Sequence, residues 1–130
     1  ERRRRAPQTG RSKSVNIQIY AAKKNPDVLK AERFFKERRI SYQTMDLKKH
    51  KLGKKELELF VRAAGGAQAL VDRSSQKALE RPVAHMSSDA LIVEALLDDP
   101  AALVSPIVRN GNKVTIGAQE DVWKEWVAQG

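Results

Sequence analysis

Polar residues that could bind an anion are clustered in the segment YAAKKNPDV, residues 20–28. Asn25 is a favoured N-cap residue and Pro26 suits the first helical position, so we expect a helix to begin here. The free amides of its first turn, with Lys23 and Lys24 beside them, could bind a phosphate-like anion. A capped helix with two solvated lysines would give the same pattern, so both interpretations stay open.

Several other kinds of chemistry have little support. The chain has no cysteine, which excludes disulfides, thiolate catalysis and cysteine metal sites. Its two histidines, His50 and His85, lie far apart and lack the spacing of metal ligands, so we expect no metal and no cofactor. Arg73, Ser74 and Ser75 could bind an anion, although a surface loop often has this composition.

The residues around the cluster predict a strand–helix–strand unit. Alternation of apolar and polar residues in VNIQIY predicts a strand over Val15–Tyr20. The helix should run to about Arg39, and ISYQTMDL (residues 40–47) reads as a second strand. Because the unit is short, the two strands should be parallel and joined by a right-handed crossover.

The middle of the chain is expected to be mainly helical. A first helix should end at Gly65-Gly66, and the residues that recur on one of its faces are Leu57, Phe60, Val61 and Ala64. A short helical turn at 67–71 follows, and the weak periodicity of residues 72–86 is typical of a loop or frayed helix. A further helix should span Ser88 to about Asp98, because Pro100 cannot continue it.

The C-terminal part of the sequence predicts a hairpin followed by a helix. Asn110-Gly111, between PIVR and KVTI, suits a type I′ turn. The last helix should bury Trp123 and Trp126 as core residues, although tryptophans can also stack on bases. The order β-α-β, helices, β-β-α predicts an α/β fold with a four-stranded mixed sheet flanked by helices.

Four stretches of the chain resemble the arsenate reductase ArsC/Spx family. They are IYAAKKNPDVLKAERFFKERRISYQTMDL, LGKKELELF, DDPAALVSPIVRNGNKVTIG and VWKEW. The resemblance spans about Val15 to Val127 and implies a thioredoxin-like fold with a helical insertion. It also implies a cis peptide bond at Ser105-Pro106, because thioredoxin folds place a cis-proline beside the redox site. A trans proline that opens an edge strand is the alternative.

The family's reactive cysteine lies five residues after the tyrosine that ends the first strand. Counting from Tyr20 places Asn25 at that position, and Val28 at the second cysteine of Spx-type members. The resemblance thus assigns the nucleophile position to a residue that is not a thiol.

The family's oxyanion-binding arginines are also incompletely matched. One precedes the hairpin proline, where this chain has Ser105, and another corresponds to about Gly117. A third falls near Asp72 and Arg73, of which only Arg73 could fill the role. The anion-binding candidates are therefore Lys24, Asn25, Arg73 and Ser105, beside Pro106.

These departures decide the expected function. Arsenate reduction in this family requires a thiolate nucleophile, and a carboxamide is not a nucleophile at neutral pH. We therefore expect a non-catalytic binding or regulatory module. Spx-type relatives bind the RNA polymerase α subunit, and the loop at Gly65-Gly66 corresponds to part of their contact surface. The alternative is a family oxidoreductase whose cysteine is replaced at Asn25.

Basic residues are concentrated at the N-terminus. The net charge is +9, and residues 1–14 contain six basic residues and one acidic residue. We expect residues 1–14 to form a disordered arm and residues 15–130 to form the folded domain. Arg2, Arg3, Arg4 and Arg5 could bind nucleic acid through its phosphates, or simply be solvated.

The sequence has no feature that suggests export or membrane insertion. No apolar run approaches the roughly 20 residues that a membrane span needs, and the N-terminal residues are not those of a secretory signal. We therefore expect a cytoplasmic protein. The chain begins with Glu1 rather than Met, so we also expect it to be a fragment or a processed form.

Overall fold

The computed structural model describes residues 16–129, in which four strands form one mixed sheet. The strands are β1 (Ile17–Ala21), β2 (Tyr42–Asp46), β3 (Ile107–Asn110) and β4 (Lys113–Ile116). Their order across the sheet is β2-β1-β3-β4, with β2 parallel to β1, and with β3 antiparallel to both β1 and β4. This arrangement confirms the predicted α/β fold with a mixed sheet. Val15 and the predicted arm lie outside the described residues.

Helices cover both faces of the sheet. They are α1 (Pro26–Glu37), α2 (Lys54–Ala64), α3 (Gln76–Leu79), α4 (Asp89–Asp98) and α5 (Glu120–Gln129). Short 3₁₀ turns occupy Gln68–Leu70, Pro82–His85 and Pro100–Ala102. Residues 72–86, predicted as a loop or frayed helix, thus contain one α-helical turn and one 3₁₀ turn. No helix among residues 16–129 is long and apolar enough to cross a membrane.

Two apolar clusters lie on opposite faces of the sheet. One joins β1 and β3 to α1 and α5, and its fully buried side chains include Ile19, Phe35 and Trp123. The other lies under α2 and α4 and contains Tyr20 and Phe60. Tyr20 and Ile19 are adjacent, so they point to opposite faces of the strand. Burial on both faces explains why β1 can hold the start of α1 in a fixed position.

Helix α1 ends two residues earlier than the sequence predicted. Arg39 takes a left-handed conformation, with a φ of 58°, and the Ile40 amide donates to the Phe35 carbonyl over 2.9 Å. These features form a Schellman-type C-cap, in which glycine is the usual left-handed residue.

We expect Arg39→Gly to raise the free energy of unfolding by about 0.5 kcal/mol. Relief of the left-handed strain, worth roughly 1–2 kcal/mol, exceeds the extra entropy of an unfolded glycine. Urea unfolding would measure the change. Arg38→Gly, at the preceding residue with a negative φ, is the control and should be destabilising; the reverse order of the two variants would contradict this explanation.

The predicted type I′ turn at Asn110-Gly111 is wrong. Asn110 pairs with Lys113, so the two loop residues are Gly111 and Asn112. Of these only Gly111 has a positive φ, at 64°, which is the pattern of a type II′ turn. Asn110 stays in the strand, and its Oδ1 accepts a hydrogen bond of 3.0 Å from the Asn16 amide.

Candidate functional site

Asn25 joins the start of α1 to the segment before β3. Its Oδ1 accepts a hydrogen bond of 2.8 Å from the Val28 amide, and its Nδ2 donates one of 2.9 Å to the Ser105 carbonyl. Ser105 is joined to the residue that follows β1 as well, since its Oγ accepts from the Ala22 amide over 2.9 Å. The carboxamide is therefore engaged at both ends.

The remaining amides of the helix mouth are partly engaged within the protein. The Leu29 amide donates to the Asn25 carbonyl, and Pro26 has no N–H. The amides of Asn25 and Asp27 have no hydrogen-bond partner within residues 16–129. The Val28 side chain, which the resemblance places at the second cysteine of Spx-type members, is buried in the core.

Ser105-Pro106 is a cis peptide bond, as the resemblance predicted. The Pro106 carbonyl accepts a hydrogen bond of 2.8 Å from the Gly117 amide, just beyond β4. Gly117 has a φ of 79°, a conformation that side chains rarely adopt. The structure thus brings Asn25, Ser105 and Pro106 together at one end of the sheet.

The other two anion-binding candidates form bonds within the protein. Lys24 Nζ lies 3.1 Å from both carboxylate oxygens of Glu32. The Arg73 guanidinium donates to the carbonyls of Ala84 and Gln68 and to the Gln68 side chain, over 3.0, 3.1 and 2.7 Å. Arg73 therefore stabilises the helical insertion. An anion-binding role for Lys24, Asn25, Arg73 and Ser105 stays a prediction.

Lys23 forms an ion pair close to the helix mouth. Its Nζ lies 3.2 Å from Asp72 and 3.4 Å from the Ser74 hydroxyl. Partial burial alone would raise the pKa of Asp72, but hydrogen bonds from Ser74 and the charge of Lys23 outweigh it and lower that pKa. Near Arg73, the group that faces this end of the sheet is thus the carboxylate of Asp72 and not the guanidinium of Arg73.

Two cavities lie beside the helix mouth. A cavity of about 360 Å³ lies between α1 and the ends of β1 and β2, and one of about 210 Å³ lies towards α3. Lys23 and Lys48 line both cavities. No group of three or more metal-binding side chains occurs among residues 16–129. The site can therefore offer cationic side chains, carboxylates, hydroxyls and an amide, but no thiol.

Sequence analysis missed a polar network on the other face of β1. Tyr20 Oη donates to Glu56 Oε2 over 2.8 Å, and the Gly53 amide donates to Oε1 over 2.9 Å. His50 Nε2 and Arg109 Nη1 lie 3.4 and 3.8 Å from Oε2. Glu56 therefore holds together β1, β3 and the start of α2.

The network changes the ionisation of its members. Burial, and then the hydrogen bond to Glu56, raises the pKa of Tyr20 to about 12. Partial burial would raise the pKa of Glu56, but bonds from Gly53, Tyr20 and His50 outweigh it and lower that pKa. The spacing of Gly53 and Glu56, which is that of a capping box, was the available sequence signal.

We expect Asn25→Ala to lower the free energy of unfolding by about 2 kcal/mol. The loss combines an N-cap, worth ~1 kcal/mol, with a partly buried hydrogen bond of similar size. Urea unfolding followed by circular dichroism would measure it. Asn25→Ser, which keeps the cap but is too short to bond the Ser105 carbonyl, should lose about half as much. An alanine variant as stable as the parent would show that the two bonds are not structural.

Solved structures with this fold include arsenate reductases and related proteins. An arsenate reductase (ArsC) related protein from Brucella melitensis is 22% identical, with a TM-score of 0.62. The match covers 86% of this chain and 94% of the Brucella chain. The arsenate reductase from Vibrio cholerae is 19% identical with a TM-score of 0.65, covering 85% and 97%. A Staphylococcus aureus protein, solved by NMR, is 26% identical with a TM-score of 0.63, covering 84% and 96%.

These similarities confirm the predicted fold, including its resemblance to ArsC proteins. They extend over nearly the whole length of the matched chains. No protein-family model matches the sequence, and no curated protein matches it either. At these identities the likeness concerns the fold, so function must be argued from the site.

Proposed function

We propose that this chain is a binding module built on the arsenate reductase fold, without thiol redox chemistry of its own. The observation that supports it is the state of Asn25. The resemblance assigns this side chain to the family's nucleophile position, and it is bonded at both ends, to the Val28 amide and the Ser105 carbonyl.

The chemistry of arsenate reduction requires what this site lacks. A thiolate must attack arsenic, and a second thiol must then supply electrons as the sulfur–arsenic bond breaks. The carboxamide of Asn25 cannot form that bond, and Val28 supplies no second thiol. Lys24 and Arg73, which could have held the oxyanion, are paired with groups of the protein itself.

An arsenate reduction assay tests the first part of the proposal. With glutathione, glutaredoxin and an NADPH-coupled readout, the purified chain should form no arsenite above background. Asn25→Cys should also fail to give steady turnover, because Ser105 and Gly117 occupy positions of oxyanion-binding arginines. Steady turnover by the unaltered chain would overturn the proposal. Restored turnover in the cysteine variant alone would favour the alternative, an oxidoreductase with a replaced cysteine.

The partner that we propose is the C-terminal domain of the RNA polymerase α subunit, bound in the cytoplasm. The support is the resemblance to Spx-type proteins together with the loop at Gly65-Gly66. Gly65 ends α2 in the left-handed conformation, with a φ of 78°, and nothing lies within 4 Å of where its Cβ would be. The loop therefore has room for a partner to approach closely.

A pull-down with the purified α-subunit domain tests this partner. Gly65→Gln should weaken capture, because a side chain would stand in the contact surface. Gly111→Gln is the matched control: Gly111 also has a positive φ, of 64°, and open space, but lies at the hairpin turn. No capture by the parent chain would remove this partner, and equal loss in both variants would indicate strain rather than contact.

A second candidate function is nucleic-acid binding through residues 1–14, which contain six basic residues and one acidic residue. Affinity for single-stranded RNA should fall steeply with salt and disappear when these residues are removed. Lysine at Arg2, Arg3, Arg4 and Arg5 should preserve binding, since phosphate neutralisation needs only charge. A salt-independent affinity would exclude this mode.

A further inference from the structure

Strand β4 forms one edge of the sheet and has no strand beyond it among the described residues. Asn110 and Lys113 flank the two-residue loop, so they form a hydrogen-bonded pair. The next pair, Arg109 and Val114, is then the non-hydrogen-bonded kind. The amide and carbonyl of Val114 consequently point away from β3, towards the open edge.

A groove runs along this edge. It has a volume of about 580 Å³ and lies between α2, on one face of the sheet, and α5, on the other. The apolar side chains that line it are Leu59, Ala63, Val114, Val122 and Trp126. An extended chain lying in the groove could therefore bond to the backbone of Val114 and bury side chains against both helices.

The charges in the groove select the kind of occupant. Arg62 and Lys113 line it, and no carboxylate within the described part of the chain does so. An acidic segment would complement the exposed Arg62. A second copy of the protein would be repelled, since each chain carries a net charge of +9.

The opposite edge of the sheet differs from β4. Strand β2 exposes polar residues, among them Gln43 and Thr44. The cavity that reaches it includes the carboxylates of Glu32 and Asp46 together with lysines. A polar edge with charges of both signs discourages strand pairing. Strand β4 thus combines an unpaired backbone edge, an apolar groove and charged side chains of one sign.

We propose that the groove beside β4 binds an acidic peptide segment in extended conformation, as a fifth strand of the sheet. This inference rests on the proposed function in one respect, namely that the chain acts by binding. It names a surface that is separate from the helix mouth and that adjoins the Gly65-Gly66 loop at Arg62 and Ala63, and a partner chemistry of its own.

The experiment uses a blocked eight-residue peptide in which glutamate and valine alternate, titrated into the ¹⁵N-labelled full chain. We expect amide shifts at Val114, Ile116 and Leu59, and slower hydrogen exchange at the Val114 amide. At low salt, a peptide of alternating lysine and valine should bind at least about tenfold more weakly than the acidic peptide. N-methylation of alternate backbone nitrogens in the acidic peptide should abolish binding.

A pair of charge reversals provides the matched control. Arg62→Glu should weaken binding of the acidic peptide by about tenfold. Lys55→Glu, an equally exposed reversal on α2 that does not line the groove, should change it less than twofold. Val114→Pro, which removes the outward amide from an edge strand, should also weaken binding.

Three results would overturn the proposal. These are no binding at millimolar peptide, equal affinity for acidic and basic peptides, and shifts confined to the helix mouth. Concentration-dependent dimerisation that protects the Val114 amide without peptide would likewise overturn it, by making a second copy the occupant. Because arsenite formation and α-subunit capture are separate measurements, failure here is distinguishable from failure of the proposed function.

Discussion

Replacing Trp123 with alanine is expected to lower the free energy of unfolding by about 4 kcal/mol. The side chain is fully buried, and its ring centroid lies 5.4 Å from that of Phe34 and 5.5 Å from that of Phe35. Its Nε1 donates to Thr115 Oγ1 over 2.8 Å. Alanine would leave a large cavity between α1, α5 and the sheet and an unsatisfied hydroxyl. Urea unfolding would measure the loss.

Two further variants separate packing from the hydrogen bond. Trp123→Phe keeps most of the apolar contact but leaves the Thr115 hydroxyl without its partner, so we expect a loss of about 2 kcal/mol. Adding Thr115→Val should recover part of that loss, because removing both partners avoids an unsatisfied buried group. A cost of less than 1 kcal/mol for Trp123→Ala would contradict the central role assigned to this ring.

Replacing Glu56 with alanine has the second-largest expected effect, a loss of about 3 kcal/mol. Tyr20, which is fully buried, would lose the acceptor of its hydroxyl, at a cost of roughly 1–3 kcal/mol, and the Gly53 amide would lose its cap. Glu56→Gln keeps an acceptor for Tyr20 and should lose about 1 kcal/mol. Equal losses in the two variants would show that the hydrogen bonds do not matter.

Glu56 also predicts how stability depends on pH. Its folded pKa is below the ordinary value of 4.5, so its ionised form stabilises the folded state above about that pH. The contribution is lost as the pH falls through the folded pKa. Urea midpoints should therefore decline less steeply with acid in Glu56→Gln than in the parent, with Asp72 supplying the slope that remains. An unchanged slope would contradict the lowered pKa.

Much of the fold could be predicted because the signals are local. Asn25 and Pro26 mark the start of α1, and Ser88 and Pro100 bound α4 within a residue or two. The parallel pairing of β1 and β2 follows from the short crossover between them. Burial of Trp123 and Trp126 follows from their helical spacing.

The features that were missed depend on contacts distant in sequence. Asn25 bonds the carbonyl of Ser105, 80 residues away, and Tyr20 bonds Glu56, 36 residues away. Nothing near Arg73 indicates that its guanidinium bonds carbonyls of the insertion. The hairpin was misassigned because Asn110 has a strong turn preference, which the pairing of strands overrides.

The bonds of Asn25 also bear on the protein's motions. They fasten the first turn of α1 to the segment before β3, so these two parts, which lie far apart along the chain, should detach together. In hydrogen exchange, the amides of Val28 and Ala22 should open as a single cooperative unit with one free energy. A residue at position 25 that cannot both accept from the Val28 amide and donate to the Ser105 carbonyl would loosen that fastening.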